Sequence, residues 1–160
     1  MWLSESSFRD VLATAPLVSI DLVIENAEGE ILLGLRNNRP AQGFWFVQGG
    51  RVQRGESLDA AFERVSREEL GLAISRGDAR LLGAYDHLYE EDVFGAGIGT
   101  HYVALGHYLR LEVGLASLPM AQHRDYRWWH PDAMRASGEV HANSRAYLDA
   151  VGDLHFTRGA

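Results

Sequence analysis

The feature that most constrains the fold is a pair of glycines between a run of aromatic residues and an amphipathic helix. Residues 44–47 (Phe-Trp-Phe-Val) are typical of a buried strand, and the glycines at 49–50 follow closely. Beyond them, apolar residues recur at helical spacing until Gly71, a residue type that commonly ends a helix. We therefore predict a strand, a glycine loop and a helix that begins at Glu56 or Ser57 and ends before Gly71.

One acidic residue lies on the apolar face of this helix. At about 100° per residue, one stripe of the helix carries Leu58, Ala61, Phe62 and Val65. Glu69 falls on the same stripe, where a carboxylate is costly unless it is paired or holds a metal ion. With a backbone carbonyl at Gly49, it would supply hard oxygen ligands of the kind that suit Mg²⁺ or Mn²⁺. Glu68 lies to the flank, where it can pair with Arg64 or simply stay solvated.

Composition limits the classes of partner. The chain has 160 residues, which predicts a single domain over residues 1–160. Its net charge of −7 and the absence of a basic run argue against nucleic acid or a membrane surface as a partner. Zero cysteines exclude a disulfide framework, a thiolate metal site and cysteine catalysis. The N-terminal residues lack a signal-peptide pattern, so we expect a cytoplasmic location.

The remaining pattern mixes short strands with a few helices. Strands are predicted over residues 17–24, 31–35, 44–47, 81–89, 101–111 and 126–129. Further helices are predicted between a cap at Ser4 and Pro16, as one turn from Pro131, and over residues 144–151. Residues 90–99 and 112–124 are expected to be loops. The fold class is therefore α+β, a mixed sheet with the glycine-bounded helix against one face.

Arginine and histidine side chains supply the other candidates for chemistry. Guanidinium groups hold pyrophosphate oxygens in bidentate geometry, and Arg36 and Arg51 flank the glycine pair. A histidine titrates near neutrality and is the commonest general base. The chain has seven histidines, and a lone loop histidine is usually just exposed. The residue pattern alone therefore leaves His87, His101 and His123 equally ambiguous.

Taken together, the glycine pair and helix resemble the box of the Nudix hydrolases, G-x5-E-x7-R-E-U-x-E-E-x-G-U, where U is aliphatic. The residues that match at the required spacing are Gly50, Glu56, Arg64, Glu68, Glu69, Gly71 and Leu72. Val65 stands where a glutamate is expected, and Ser66 where an aliphatic residue is expected. The resemblance implies the Nudix fold, a mixed sheet sandwiched by helices, with the box helix after a Gly-Gly loop.

Within that superfamily the chain closely resembles the GDP-mannose mannosyl hydrolase group, almost end to end. The stretches that carry the resemblance are residues 14–19, 38–43, 45–47, 49–53, 61–64, 100–103, 125–128 and 141–147. That group also lacks the glutamate at the position of Val65. The resemblance implies a Nudix glycosyl hydrolase that is a homodimer and depends on Mg²⁺, with Mn²⁺ as an alternative. Its expected reaction is water attack on the anomeric carbon of GDP-mannose or GDP-glucose, with inversion, releasing GDP and free sugar.

The resemblance also implies roles for individual residues. The metal ligands would be the Gly49 carbonyl, Glu69 and Gln122. His123 would deprotonate the attacking water. The groups expected at the departing diphosphate are Arg36, Arg51, His87 and Tyr102. Substrate contacts are expected from Trp2, Leu3, Phe8, Asp21 and Arg36, with Asp21 orienting the sugar or the base.

Two departures from the group leave alternatives open. Gln48 occupies a position where these sequences often have proline, and Glu68 restores a carboxylate that leaves room for a second metal ion. One alternative is a nucleoside-diphosphate-sugar pyrophosphatase that attacks phosphorus and gives GMP and sugar phosphate. Another is a non-catalytic sensor of nucleotide sugars. The residue pattern does not fix the preference between mannose and glucose.

Overall fold

The computed structural model describes residues 3–158, apart from the side chains of residues 96 and 158. The helices are α1 Glu5–Thr14, α2 Leu58–Leu70, α3 Pro131–Ala136, α4 Ala142–Arg145 and α5 Leu148–Arg158. The strands are β1 Leu17–Glu25, β2 Ile31–Arg36, β3 Trp45–Phe46, β4 Gln48–Arg51, β5 Arg80–Asp92, β6 Gly95–Arg110 and β7 His123–Trp129. The predicted α+β class is confirmed.

Strand β1 is the centre of a seven-stranded mixed sheet, ordered β3-β2-β1-β6-β5, with β4 against β1 and β7 against β2. It runs parallel to β6 along its whole length. Its other edge pairs with β4 near its start and meets β2 only at Glu25 and Ile31. Strands β1 and β2 are therefore paired only at that position. Elsewhere β4 pairs with β1 and β3 pairs with β2.

Helices cover both faces of the sheet, because apolar side chains of β1 point alternately to each face and must be buried on both. Ile20, Leu22 and Ile24 pack with Phe62 and other residues of α2 in one buried cluster. Val23 belongs to a second cluster with Trp129. This cluster also includes C-terminal residues from α3, from α5 and from the link before α5: Met134, Tyr147, Leu148, Val151 and Leu154. This sandwich is the predicted arrangement. No helix within residues 3–158 is long and apolar enough to cross a membrane.

Helix α2 has the predicted ends. The Ser57 hydroxyl accepts a hydrogen bond from the Ala60 N–H at 3.2 Å, and Gly71 caps the C-terminus with φ of 73°. Glu69 is buried on the inner face, as predicted. Leu58 is 38% exposed instead. It lies in the first turn, outside the apolar cluster that the rest of the stripe joins.

The glycine pair is not a loop, so that prediction is wrong. Gly49 and Gly50 belong to β4 and pair antiparallel with Asp21 and Ile20 of β1. A Cβ at Gly49 would lie 2.6 Å from Asp21 Oδ1, and one at Gly50 would lie 3.0 Å from Val65 Cγ2. Close packing, not a turn, therefore requires these glycines.

Two other predicted loops are partly strand. Strands β5 and β6 extend through residues 90–99, and Asp92 caps their turn by accepting hydrogen bonds from the N–H groups of Phe94 and Ile98. Strand β7 begins at His123, which pairs with Arg36 beyond an irregularity in β2. The polar residues of these segments gave no strand signal, although Asp92 and His123 are buried within the paired strands.

Candidate functional site

A cleft of about 950 Å³ brings most of the predicted site residues together. This volume lies within the range of small-molecule sites. Its predicted members are Leu3, Phe8, Asp21, Arg36, Gly49, Arg51, His87, Tyr102 and Gln122. Glu69 lines an adjoining pocket of about 260 Å³, and Glu68 and Gln122 line both spaces. Trp2 lies outside the described residues.

Aromatic side chains form one end of the cleft. Phe8 of α1 meets Phe94, from the turn between β5 and β6, edge to face with ring centroids 6.0 Å apart. The Arg51 guanidinium lies 4.7 Å from the Phe8 ring centroid, and that of Arg9 lies 4.1 Å from the Phe94 centroid. Such a surface suits the flat face of a nucleobase. Sequence reasoning missed Phe94 because it treated residues 90–99 as a polar loop.

Arg36 links the cleft to the connection between β2 and β3. Its Nε–H donates to the Pro40 carbonyl at 3.0 Å, and its guanidinium lies 5.8 Å from the Phe46 ring centroid. Its positive charge lowers the pKa values of Asp21 and Glu69, against the stronger opposing effect of burial. The charge of Arg36 therefore acts on both buried carboxyl groups.

Arg64 is held in place by partners within the box. Its guanidinium contacts Glu56 at 2.6 Å and Glu68 at 2.9 Å, and also donates to the Arg51 carbonyl at 2.8 Å. The hydrogen bond from Arg64 lowers the pKa of Glu56. The predicted pairing of Arg64 with Glu68 is confirmed. These contacts fasten the turn before α2 to the helix and fix the position of Arg51.

Asp21 and His87 are buried in the wall of the cleft. The Tyr147 hydroxyl donates to Asp21 Oδ2 at 2.7 Å, and His87 Nδ1 lies 3.8 Å from the same oxygen. Burial raises the pKa of Asp21 to about 6 and lowers the pKa of His87 to about 4. Burial also raises the pKa of Tyr102. At neutral pH, His87 and Tyr102 can therefore donate hydrogen bonds to a diphosphate but bring no charge.

Glu69 is the buried carboxyl group of α2. It is 3% exposed, and its Oε2 has no hydrogen-bond partner within residues 3–158. Burial raises the pKa of Glu69 to about 7. A buried carboxylate with an unsatisfied oxygen fits a metal ligand, because the ion would replace the missing partner.

His123 lies beside Glu69 and lines neither cavity. Its Nδ1 lies 3.6 Å from Glu69 Oε2 and 3.3 Å from the Tyr126 hydroxyl, and its ring is 1% exposed. A Cβ at Gly34 would come within 2.4 Å of the imidazole, so this glycine makes room for it. Burial lowers the pKa of His123 to about 4. The imidazole is therefore neutral at physiological pH, the form that a general base requires.

Of the predicted metal ligands, Gly49 lines the larger cavity, Glu69 lines the smaller one, and Gln122 lines both. No group of three or more His, Cys, Asp or Glu side chains that could hold a metal ion occurs in the described part of the chain. The predicted set has one carboxylate, with a backbone carbonyl and a carboxamide. That donor set fits Mg²⁺, which keeps several waters and binds through one or two carboxylates and substrate phosphates.

Gln48 and Tyr147 were not predicted as site residues. The Gln48 side chain is fully buried, and neither polar atom of its carboxamide has a hydrogen-bond partner in the region described. Gln48 pairs with Leu22 in β1, and nothing in the structure explains why glutamine stands here. Tyr147 reaches Asp21 from a distant part of the chain, and no local pattern signals that contact.

Mg²⁺ affinity should fall about tenfold for each pH unit below 7, because the Glu69 carboxyl must release its proton before it binds the ion. The raised pKa of about 7 means that the protonated form dominates below this pH. Calorimetric titration with Mg²⁺ from about pH 5.5 to about pH 8.5 measures the effect. The Glu69→Gln variant should bind weakly without this slope. A flat profile in the unmodified protein would contradict the assignment.

Comparison with known proteins identifies the family. A NUDIX domain model matches residues 15–151. The low-salt glycan biosynthesis protein Agl8 of Haloferax volcanii is 36% identical over 148 residues, 92% of this chain and 89% of that protein. ADP-ribose pyrophosphatase of Methanocaldococcus jannaschii is 40% identical over 57 residues, 36% of this chain and 33% of that protein. A MutT NUDIX hydrolase structure from Burkholderia pseudomallei has a TM-score of 0.68 at 28% identity, covering 85% of this chain and 98% of that chain. The chain therefore belongs to the Nudix hydrolase family, and the predicted Nudix fold is confirmed.

Proposed function

We propose that the protein hydrolyses GDP-mannose, or GDP-glucose as a second substrate, to GDP and free sugar in a Mg²⁺-dependent reaction. Val65 carries this proposal. It is fully buried and packs against Gly50, so the box offers no carboxylate at this position. One buried carboxylate, Glu69, remains on the inner face of α2. A site with few carboxylates favours a single ion on the diphosphate over several ions that activate water at phosphorus.

The cleft provides the groups that departure of GDP requires. As the bond between the anomeric carbon and the phosphate oxygen breaks, the electron pair stays on GDP. Arg36 and Arg51 would stabilise that charge, and His87 and Tyr102 would donate hydrogen bonds to it. A bound Mg²⁺, held by Gly49, Glu69 and Gln122, would supply further positive charge. The aromatic end with Phe8 and Phe94 would hold the base, with Leu3 beside it.

Water attack completes the reaction on the opposite side of the anomeric carbon. The water oxygen forms the new bond to carbon, and His123 takes the proton, while Asp21 orients the sugar. Since His123 is buried and Gln122 lines the cleft, this role requires the start of β7 to turn the imidazole toward the substrate. Geometry without substrate does not exclude a base, because catalytic contacts often tighten only when substrate binds.

The relatives support sugar-nucleotide chemistry and keep one alternative. The name of Agl8 refers to glycan biosynthesis, which favours a sugar nucleotide as substrate. The shorter match to an ADP-ribose pyrophosphatase, together with the intact Glu56–Arg64–Glu68 contacts, favours the alternative of attack at phosphorus.

We also propose a single domain over residues 1–160, since all described strands share one sheet. The homodimer and the cytoplasmic location stay predictions.

Hydrolysis of GDP-mannose in ¹⁸O-enriched water should place the label in the released sugar. Mass spectrometry of both products decides the mechanism, because GDP could also arise from attack on the β-phosphorus. Label in GDP, or release of GMP with sugar phosphate, would contradict attack at carbon. Tight binding without turnover, with or without Mg²⁺, would indicate a sensor. GDP-glucose and ADP-ribose, assayed in parallel, test the choice of substrate.

A further inference from the structure

A tyrosine outside the cleft holds one of the carboxylates inside it. Tyr147 lies between α4 and α5 and is fully buried. Its hydroxyl donates a hydrogen bond to Asp21 Oδ2 at 2.7 Å. Asp21 lines the cleft, whereas Tyr147 does not. The contact joins the C-terminal helices directly to the site.

A glycine in β6 makes this contact possible. Gly106 is the β6 partner of Asp21 in the parallel pairing with β1. A Cβ on Gly106 would lie 2.4 Å from Tyr147 Cε1, so the phenol ring occupies the space that a side chain would fill. The Tyr85 ring packs against Tyr147 with centroids 4.6 Å apart, and His87 lies 6.0 Å away. The ring is thus fixed by its neighbours, and its hydroxyl points to one place.

The hydrogen bond from Tyr147 fixes one oxygen of the Asp21 carboxylate, which also has a side-chain hydrogen bond with Ser19. Oδ2 faces Tyr147, while Oδ1 lies beside Gly49, 2.6 Å from the position that a Cβ would take there. A carboxylate this deeply buried depends on its donors, because loss of one leaves the oxygen desolvated without compensation. Without the hydroxyl, the carboxylate would be free to rotate, and Oδ1 would lose its position beside Gly49.

We propose that Tyr147 is a positioning residue, which holds Asp21 so that one carboxylate oxygen is presented to the substrate. The inference rests on the proposed function only in treating the cleft as the catalytic site. It does not depend on which sugar the substrate carries. Because the contact acts through Asp21, we expect its loss to slow the reaction step, in addition to removing the stability that any buried hydrogen bond contributes.

Tyr147→Phe removes one oxygen and leaves the ring in its slot, and Tyr108→Phe is the matched control. The Tyr108 hydroxyl donates to Glu25 Oε2 at 3.1 Å, so it too contacts a buried carboxylate of β1. Neither Tyr108 nor Glu25 lines the cleft. We expect Tyr147→Phe to lower kcat by about 10–100-fold with little change in KM. Tyr108→Phe should keep kcat, although it too removes a hydroxyl that donates to a buried carboxylate.

A double-mutant cycle with Asp21→Asn tests whether the effect passes through Asp21. In the Asp21→Asn background, Tyr147→Phe should lower kcat no further. Additive losses, equal losses of kcat in both tyrosine variants, or an unchanged kcat in Tyr147→Phe would overturn the inference. Absence of GDP-mannose turnover in the unmodified protein contradicts the proposed function instead. The cycle then uses whichever nucleoside diphosphate derivative the protein hydrolyses.

Discussion

Glu69→Gln should lower metal-dependent turnover by about 10²–10³-fold, because the site would lose the charged ligand that we propose for the divalent ion. The fold should survive this change. Burial raises the pKa of Glu69 to about 7, so above this pH the folded protein holds an ionised carboxylate that would be better solvated in the unfolded chain. Since folding favours the protonated form, this penalty grows as pH rises from about 4.5, the ordinary pKa of the group, to about 7, and stays constant above that pH. The neutral amide removes it, and the metal-free variant should be at least as stable at about pH 8.

Glu63→Gln is the matched control for Glu69→Gln. Glu63 lies on the same helix, but it is exposed and pairs with Arg67 on the solvent side. Its loss should change neither turnover nor Mg²⁺ affinity. Kinetics over a Mg²⁺ series, together with thermal midpoints with and without Mg²⁺, separate loss of metal from loss of fold. Retained Mg²⁺ affinity in Glu69→Gln would remove Glu69 from the ligand set.

Glu68→Gln, measured in the same assay, tests how many metal ions the site binds. The Glu68 side chain is largely exposed, pairs with Arg64 and lines both cavities. A site with one ion predicts that this variant loses little turnover and keeps the form of the Mg²⁺ dependence. A second, weaker Mg²⁺ phase that disappears with Glu68 would support the alternative of two ions.

Local sequence signals were enough to predict the box helix and its buried acid. Ser57 and Gly71 mark the ends of α2 through capping, and Glu69 stands out because periodicity places it among apolar residues. These properties depend on neighbours within one helix, which a single sequence displays. The Nudix fold could be predicted because the box is recognised by the spacing of residues within one short segment.

Contacts between distant strands could not be predicted in the same way. Gly34 and Gly106 lie within strands, where each leaves space for a ring from elsewhere in the chain, His123 and Tyr147 respectively. A glycine in a strand signals that something approaches closely, but it does not say which residue. The same limit explains Gly49, which was predicted as a turn and instead packs against Asp21.

Burial reverses the titration order that the residue types alone suggest. A histidine ordinarily titrates above a glutamate. Here the pKa of His123 falls to about 4, while that of Glu69 rises to about 7. A rate that rises with pH near neutrality would therefore report the deprotonation of Glu69, the proposed metal ligand. From the sequence alone, a histidine is expected to titrate near neutrality, because the sequence does not display the burial of either group.

His123→Gln should lower kcat by about 10²–10⁴-fold at saturating Mg²⁺, the loss expected when a positioned general base is removed. His107→Gln is the control. His107 belongs to β6 and, like His123, is buried. Its ring packs on Phe62 with ring centroids 5.0 Å apart and lies away from the cleft. The control should lose stability and keep kcat.

His123 has a competing candidate role, in which it orients Glu69 as a metal ligand, because His123 Nδ1 lies 3.6 Å from Glu69 Oε2. That role predicts weaker Mg²⁺ binding with a normal rate once the ion is saturating. Full activity of His123→Gln at high Mg²⁺ would therefore exclude His123 as the base.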